Sequence, residues 1–309
     1  MDITVVICTY NRAATLHIPL DSMVKQHYPT EHFEVIVVDN NSTDATRHIV
    51  ESYQERLPNL RYIFEPQQGL SIARNKGWQD AAAPIVAYLD DDAGACEKWL
   101  GEIVKVFEEE TPRPACVGGP VQLDWGGKKP DWLPESYLQM YTQLDLGDER
   151  INLRINEHIL QGANMAFDRQ ILLQESGFDE ALGRSGNKLI SGEETALIRK
   201  LLFKGYGIVY TPEASVVHLV LPERRSRRYF WKRLIYDGKS QVLVDLNEGR
   251  INRAGIGRRA LYELKMGMVQ LLAAIGSTGR KEFTTRKIEF LKRVGRVSMI
   301  LELVLTGEI

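Results

Sequence analysis

Four apolar runs, "ITVVICTY" (3–10), "FEVIVVDNNSTD" (33–44), "LRYIFEP" (60–66) and "PIVAYLDDD" (84–92), alternate with segments of helical character over residues 13–26, 44–56 and 71–82. The runs are apolar on both faces, which a strand tolerates only where both faces of its sheet are covered. Helical crossovers between parallel strands supply that cover. The expected fold class is therefore α/β, with a mainly parallel sheet flanked by helices. In such sheets ligands bind beyond the carboxyl ends of the strands. The unusual polar residues collect there: Thr9, Tyr10, Asn11 and Arg12 after the first run, Asp39, Asn40 and Asn41 after the second, and Asp90, Asp91 and Asp92 after the fourth. No Gly-x-Gly-x-x-Gly follows the first strand and no glycine–lysine phosphate loop occurs, which counts against a dinucleotide-binding domain and a P-loop NTPase.

Further along, residues 97–110 read as a helix, "CVGGPVQLDW" (116–125) as a strand, and 126–160 as an irregular segment rich in Trp, Pro and Tyr. "LQGANMAFDR" (160–169) reads as a strand entering a helix. Residues 191–219 read as a turn, an amphipathic helix and a strand ending near His218. The 309 residues, 44% hydrophobic, suit one large α/β domain with an appendage. The net charge of −2 hides an asymmetry: residues 223–309 carry about +10 and residues 1–222 about −12. Three widely spaced cysteines, Cys8, Cys96 and Cys116, fit small buried apolar roles in a reducing compartment. No signal-peptide pattern opens the chain and no uncharged apolar run reaches about 18 residues, so a cytoplasmic location is expected.

Three adjacent carboxylates repel one another, and no fold needs them in order to stand. A carboxylate pair at a strand end suits a hard divalent cation, Mg²⁺ or Mn²⁺, which takes oxygen ligands and can bridge to a diphosphate. The triplet alone is equally a solvated acidic turn.

Six stretches together resemble the family 2 inverting glycosyltransferases of the GT-A fold: "VVICTYNR" (5–12), "EVIVVDNNSTD" (34–44), "GLSIARNKG" (69–77), "VAYLDDDA" (86–93), "GANMAFDR" (162–169) and "GEETALIRKLLFKGYGIVYTPEASVVH" (192–218). They occur in the family's order over residues 1–220. The resemblance implies a catalytic domain over 1–222, with a nucleotide-sugar half to about residue 115 and an acceptor half from about 116. A basic helical extension then covers 223–309. Thr9, Tyr10, Asn11, Arg12, Asp39 and Asn41 would hold the nucleotide, with Asp39 accepting from the base or, alternatively, bonding its own turn. Arg74 would approach the donor phosphates, or stand as a helix-surface charge. Asp90 and Asp92 form the D-x-D motif, Asp90 toward the ribose or sugar and Asp92 toward the metal. Asp91 stays ambiguous, because three aspartates allow a shift in register. Gly162, Ala163 and Asn164 would line the sugar pocket, with Asn164 offering donors and acceptors. His218 would approach the metal or diphosphate, or serve structure alone.

Inverting transfer needs a base for the acceptor hydroxyl. Glu193 and Glu194 occupy the family's acidic pair, whose second residue is usually the base. Here that residue is a glutamate where the family carries Asp, which leaves the choice between the two open. Two acids favoured by a helix N-terminus are the alternative. Trp125, Trp132, Tyr137 and Tyr141 either stack on sugars or pack a satellite core.

The implied partners are a UDP-, GDP- or dTDP-sugar and a carbohydrate or lipid-linked acceptor in cell-surface polysaccharide or glycolipid synthesis. "RRSRRYFWKR" (224–233) and the apolar stripes of 258–275 and 286–305 suggest peripheral contact with the inner face of the cell membrane, or a homo-oligomer interface. Nucleic acid is not the expected partner. A nucleotidyltransferase-like enzyme and a non-catalytic nucleotide- or RNA-binding protein are the competing readings.

Overall fold

The computed structural model describes residues 1–155, 159–186, 188–251, 255–275 and 280–306. Its strands are β1 (Ile3–Thr9), β2 (Phe33–Asp39), β3 (Leu60–Phe64), β4 (Ile85–Leu89), β5 (Ala93–Ala95), β6 (Cys116–Gly118), β7 (Val121–Asp124), β8 (Ile151–Asn152), β9 (Asn164–Asp168), β10 (Ile208–Tyr210) and β11 (Val216–Leu219). Its helices are α1 (His17–Val24), α2 (Thr46–Ser52), α3 (Leu70–Asp80), α4 (Trp99–Glu109), α5 (Arg169–Glu175), α6 (Glu193–Phe203), α7 (Arg227–Asn247), α8 (Ile256–Ile275) and α9 (Arg280–Thr306). The chain divides into two compact units, one of Met1–Glu180 with Leu197–Leu221, the other of Ala181–Ala196 with Pro222–Ile309.

In the first unit, eight strands form one sheet in the order β3-β2-β1-β4-β9-β6-β10-β8. The β3-β2-β1-β4 half is parallel throughout, as the doubly apolar runs require. Strand β9 breaks that pattern, running antiparallel to both β4 and β6. The alternation of side chains splits the core into two layers. Ile3, Val5 and Ile7 face Leu16 at the start of α1, Leu20 within it, and Trp99, Ile103 and Phe107 of α4. Val6, Ile36, Val38 and Tyr88 face Ala73 and Trp78 of α3, Leu172 of α5 and Ile198 of α6. Each such aliphatic side chain contributes about 1.5–3 kcal/mol relative to exposure. Helix α3 seats closely on β1, since a Cβ at Gly77 would overlap Val6.

"CVGGPVQLDW" forms two strands where one is expected. Gly119 lies against the Thr211 and Ala214 carbonyls with no room for a side chain, and Pro120 cannot donate to a ladder. The chain therefore leaves the large sheet after β6 and enters a small one, ordered β5-β11-β7. Trp125 and Tyr141 are buried against each other with ring centroids 5.4 Å apart, and so pack within the fold. Trp132 and Tyr137 are half-buried.

The second unit has its own core, including Leu182, Ile190, Val242, Val244, Ile256, Met299 and Ile300. Helices α7 and α9 meet backbone to backbone. A Cβ at Gly295 would overlap the Ile235 carbonyl, and one at Gly238 the Lys292 carbonyl. Gly295→Ala gains up to about 1 kcal/mol of helix propensity, yet must push two packed helices apart at a cost of about 1–3 kcal/mol. The expected result is a lower Tm by thermal denaturation; an unchanged or higher Tm would contradict this packing. Among the described residues, no helix is long and apolar enough to cross a membrane.

Candidate active site

The three aspartates leave the carboxyl end of β4 and turn directly into β5, with the Ala93 amide donating to the Asp90 carbonyl at 3.1 Å. Strand β11 runs antiparallel to β5 and sets His218 opposite Ala93. The Leu219 amide then donates to the Asp92 carbonyl at 2.8 Å. This register carries the imidazole onto the aspartates. His218 Nε2 lies 2.9 Å from Asp92 Oδ1 and 3.9 Å from Asp90 Oδ2. Each of the three residues has a ligand-type atom within 4.8 Å of the others'. Asp92 and His218 are 2% and 3% exposed, and Nδ1 of His218 has no hydrogen-bond partner among the described residues.

Asp91 sits in the middle of this charge. Burial pushes its carboxyl up to about 7, with Asp92 and Asp90 adding to the rise against Arg12 and the Thr9 hydroxyl. Asp90 and Asp92 thus add mutual repulsion to the cost of burial, a repulsion that a cation would offset. Two carboxylates and an imidazole form a donor set that suits Mn²⁺; the imidazole makes it a softer set than the all-oxygen shell Mg²⁺ favours.

Arg74 projects from α3 beneath the same point and is 3% exposed. Its Nη2 lies 3.7 Å from Asp90 Oδ1 and donates to the Gly162 carbonyl at 3.4 Å. The guanidinium lies 5.5 Å from the Phe178 ring centroid and 5.9 Å from that of Tyr88. A Cβ at Gly162 would stand 2.5 Å from Arg74 Nη2 and displace the guanidinium, so the glycine leaves Arg74 its place. Arg74 is thus a buried, aimed charge and not a helix-surface one.

The loops after β1 and β2 are tied together. The Asn11 amide donates to Ser42 Oγ at 2.9 Å, the Thr43 amide to Asn11 Oδ1 at 2.8 Å, and the Ala13 amide to Asp44 Oδ2 at 3.0 Å. Asn11 and Asn41 take left-handed φ of 52° and 69°, which Asn tolerates better than most residues. Asp39, 2% exposed, accepts from the Ser42 amide at 2.9 Å and from the Tyr62 hydroxyl at 2.7 Å, so it does bond its own turn. One lone pair on each oxygen remains for a ligand. Thr9 is buried; Tyr10 is 38% exposed, and Arg12 half-buried.

Gly162 and Ala163 precede β9 as expected, but the side chain of Asn164 turns inward. It is fully buried, donates to the Pro120 and Ala214 carbonyls at 3.0 and 2.7 Å, and accepts from Trp99 Nε1 at 2.8 Å. The donors and acceptors expected to meet a sugar are committed to bracing the fold.

Glu193 and Glu194 open α6, after Gly192 with φ +104°. Helix α7 pins the segment before them. Arg233 donates to the Leu189 carbonyl at 2.9 Å and to Ser191 Oγ at 3.1 Å, and the Ser191 amide donates to Ser240 Oγ at 3.0 Å. Glu193 is 4% exposed and Glu194 half-buried.

Sequence reasoning gave no role to Asn40 beyond its place at the strand end. Its Oδ1 accepts from the Gly69 amide at 2.7 Å, and its Nδ2 donates to the Gln67 carbonyl at 2.6 Å, fixing the entry to α3. Tyr62 was missed as well; its hydroxyl shows only as an inward position on β3.

A sheet of this kind, with its carboxylates at the strand ends, is the GT-A fold of sugar-nucleotide transferases. The chain belongs to glycosyl transferase family 2, whose sequence profile matches residues 4–174, and it is a glycosyltransferase. The nucleotidyltransferase and non-catalytic readings fall away. A glucosyl-dolichyl phosphate glucuronosyltransferase of Haloferax volcanii is 29% identical over 80% of this chain and 78% of its own length. The succinoglycan biosynthesis protein ExoM of Rhizobium meliloti is 28% identical over 78% and 74%. Among solved structures, the mannosyltransferase PcManGT of Pyrobaculum calidifontis, in complex with GDP-Man and Mn²⁺, superposes with a TM-score of 0.65. It is 20% identical and is aligned over 97% of this chain and 87% of that one. TarS 1–349 of S. aureus with UDP-GlcNAc gives 0.57 at 17% identity, over 99% and 92%.

Proposed function

We propose that this glycosyltransferase moves a sugar with inversion from a nucleoside diphosphate to an acceptor hydroxyl, using a divalent cation, Mn²⁺ ahead of Mg²⁺. The observation that carries the reading is the buried Asp90–Asp92–His218 cluster at the strand ends. Asp92, Asp90 and His218 would hold the cation, whose chemistry there is to neutralise charge gathering on the diphosphate as it departs. Arg74, held by aromatic rings and aimed at Asp90, stabilises the same diphosphate from the other side. Asp39 receives the base; Thr9, Tyr10, Asn11, Arg12 and Asn41 bound the nucleotide, and Asp91 orients Arg12 through their mutual attraction. The backbone at Gly162 and Ala163 admits the sugar. Glu194 takes the acceptor proton, and Glu193 beside it acts on donor binding.

The acceptor is a carbohydrate or a lipid-linked saccharide of the cell surface, a class supported by the two sequence relatives, a glucosyl-dolichyl phosphate glucuronosyltransferase and a succinoglycan biosynthesis protein. Release of free nucleoside diphosphate, measured across UDP-, GDP- and dTDP-sugars with Mn²⁺, tests the reading. One donor should stand out; no release from any of them would refute it.

A further inference from the structure

Helix α8 turns apolar residues outward. Leu261, Leu264, Met268 and Leu272 are 51–68% exposed and recur on one helical face. Leu301 and Leu305 of α9 are 54% and 85% exposed. Between them runs a groove of about 820 Å³, lined by Leu264, Met268, Val294, Leu301 and Leu305. A contiguous apolar patch of this kind marks an interaction surface.

The exposed charge that α8 sets beside the patch is positive. Glu263, the acid of α8, is 1% exposed and faces inward, 3.0 Å from Arg259, 2.6 Å from Arg293 and 2.9 Å from Arg296. Three guanidinium groups on one carboxylate leave two positive charges in excess. Arg258 and Lys265 stand exposed on the same helix. Glu302, at the end of the groove, is matched by Lys239 at 2.8 Å.

We propose that the α8–α9 face is a seat for an anionic lipid bilayer. Its leucines and Met268 enter the acyl boundary, while Arg258 and Lys265 meet the headgroups. No described helix can span a bilayer, so the face lies on it. A second copy of this chain fits the face poorly, because a two-fold interface would bring the same positive groups against one another. The surface is distinct from the basic–aromatic stretch singled out in the sequence. There Phe230 is 1% exposed, and Arg233 is committed to the loop before α6.

Flotation of the full chain with vesicles is the test, comparing phosphatidylcholine alone with an equal mixture of phosphatidylcholine and phosphatidylglycerol at low salt. Partition should be at least tenfold stronger with the anionic mixture. The double variant Met268→Glu/Leu272→Glu should lose about tenfold or more of it. Leu173→Glu, at a 60% exposed site on α5, should match the parent. All three proteins are checked for equal thermal melts. No flotation with anionic vesicles, or equal flotation of the double variant and the parent, overturns the proposal. So does light scattering that shows a lipid-free dimer which the double variant dissociates, since the face would then belong to a second copy.

Discussion

Replacing Asp92 with alanine is expected to cut nucleotide-sugar turnover by about 10²–10³-fold while leaving the fold intact. A bound cation stabilises developing charge by several kcal/mol, and each 1.36 kcal/mol is tenfold in rate. Asp92 is also the carboxylate closest to His218, so its loss removes the link between the β4 and β11 sides of the cluster. Stability without metal should hold, because Asp92 is one of the charges that drive Asp91 up to about 7 and its removal relieves that repulsion. Parent protein in Mn²⁺ at a hundred times its Kd gains about 2.7 kcal/mol, a Tm rise of about 5 °C or more. Asp92→Ala should show no such rise. Full turnover in excess chelator, or a parent-like Mn²⁺ shift in the variant, would sink the metal assignment.

The second large effect is expected at Glu194. A positioned base contributes about 10²–10⁴-fold. Glu194→Gln keeps shape and hydrogen bonding but cannot take a proton, so kcat should fall by about that factor with little change in nucleotide affinity. Glu194→Asp should retain part of the activity. Glu193→Gln should act more on donor binding than on the rate of transfer. Helix α6 begins at these residues, and the segment before it is anchored to α7 by Arg233 and Ser240, so the substitutions should leave the backbone in place. A parent-like Glu194→Gln beside an inactive Glu193→Gln would reverse the two roles. Parent-like rates in both would move the base elsewhere in the chain.

What the sequence disclosed and what it hid divide along a physical line. Strands β1, β2 and β4 were legible because burial on both strand faces is written in consecutive residues; β3, an edge strand with Arg61 and Phe64 exposed, and helices α1 to α4 were legible from the alternation of apolar runs and helical segments. The Asp triplet was legible because local repulsion is itself a signal. Strand β9 was legible as a strand, but its antiparallel place between β4 and β6 was not, since pairing across the sheet leaves no local pattern. Strand β5, three residues long, has too little sequence to carry a period. Asn164 illustrates the limit best. An Asn between small residues suggests a ligand contact, and only the meeting of Trp99, Pro120 and Ala214 around it reveals a brace. His218 was placed by family resemblance; its contact with Asp92 depends on the β5–β11 register, which no spacing announces.

That register has a consequence during synthesis. The three aspartates leave the ribosome roughly 125 residues ahead of His218, an interval on the order of ten seconds at usual elongation rates. Through that interval the nascent chain carries an acidic turn with no imidazole beside it. Strand β11 closes the cluster last, as the third and central strand of its small sheet, flanked by β5 and β7, both of which emerged earlier. A chain cut short between β5 and β11 has the aspartates without the third donor. The cluster is therefore assembled only in polypeptides whose translation has passed the first unit, and an aborted product has no finished cation site to fill.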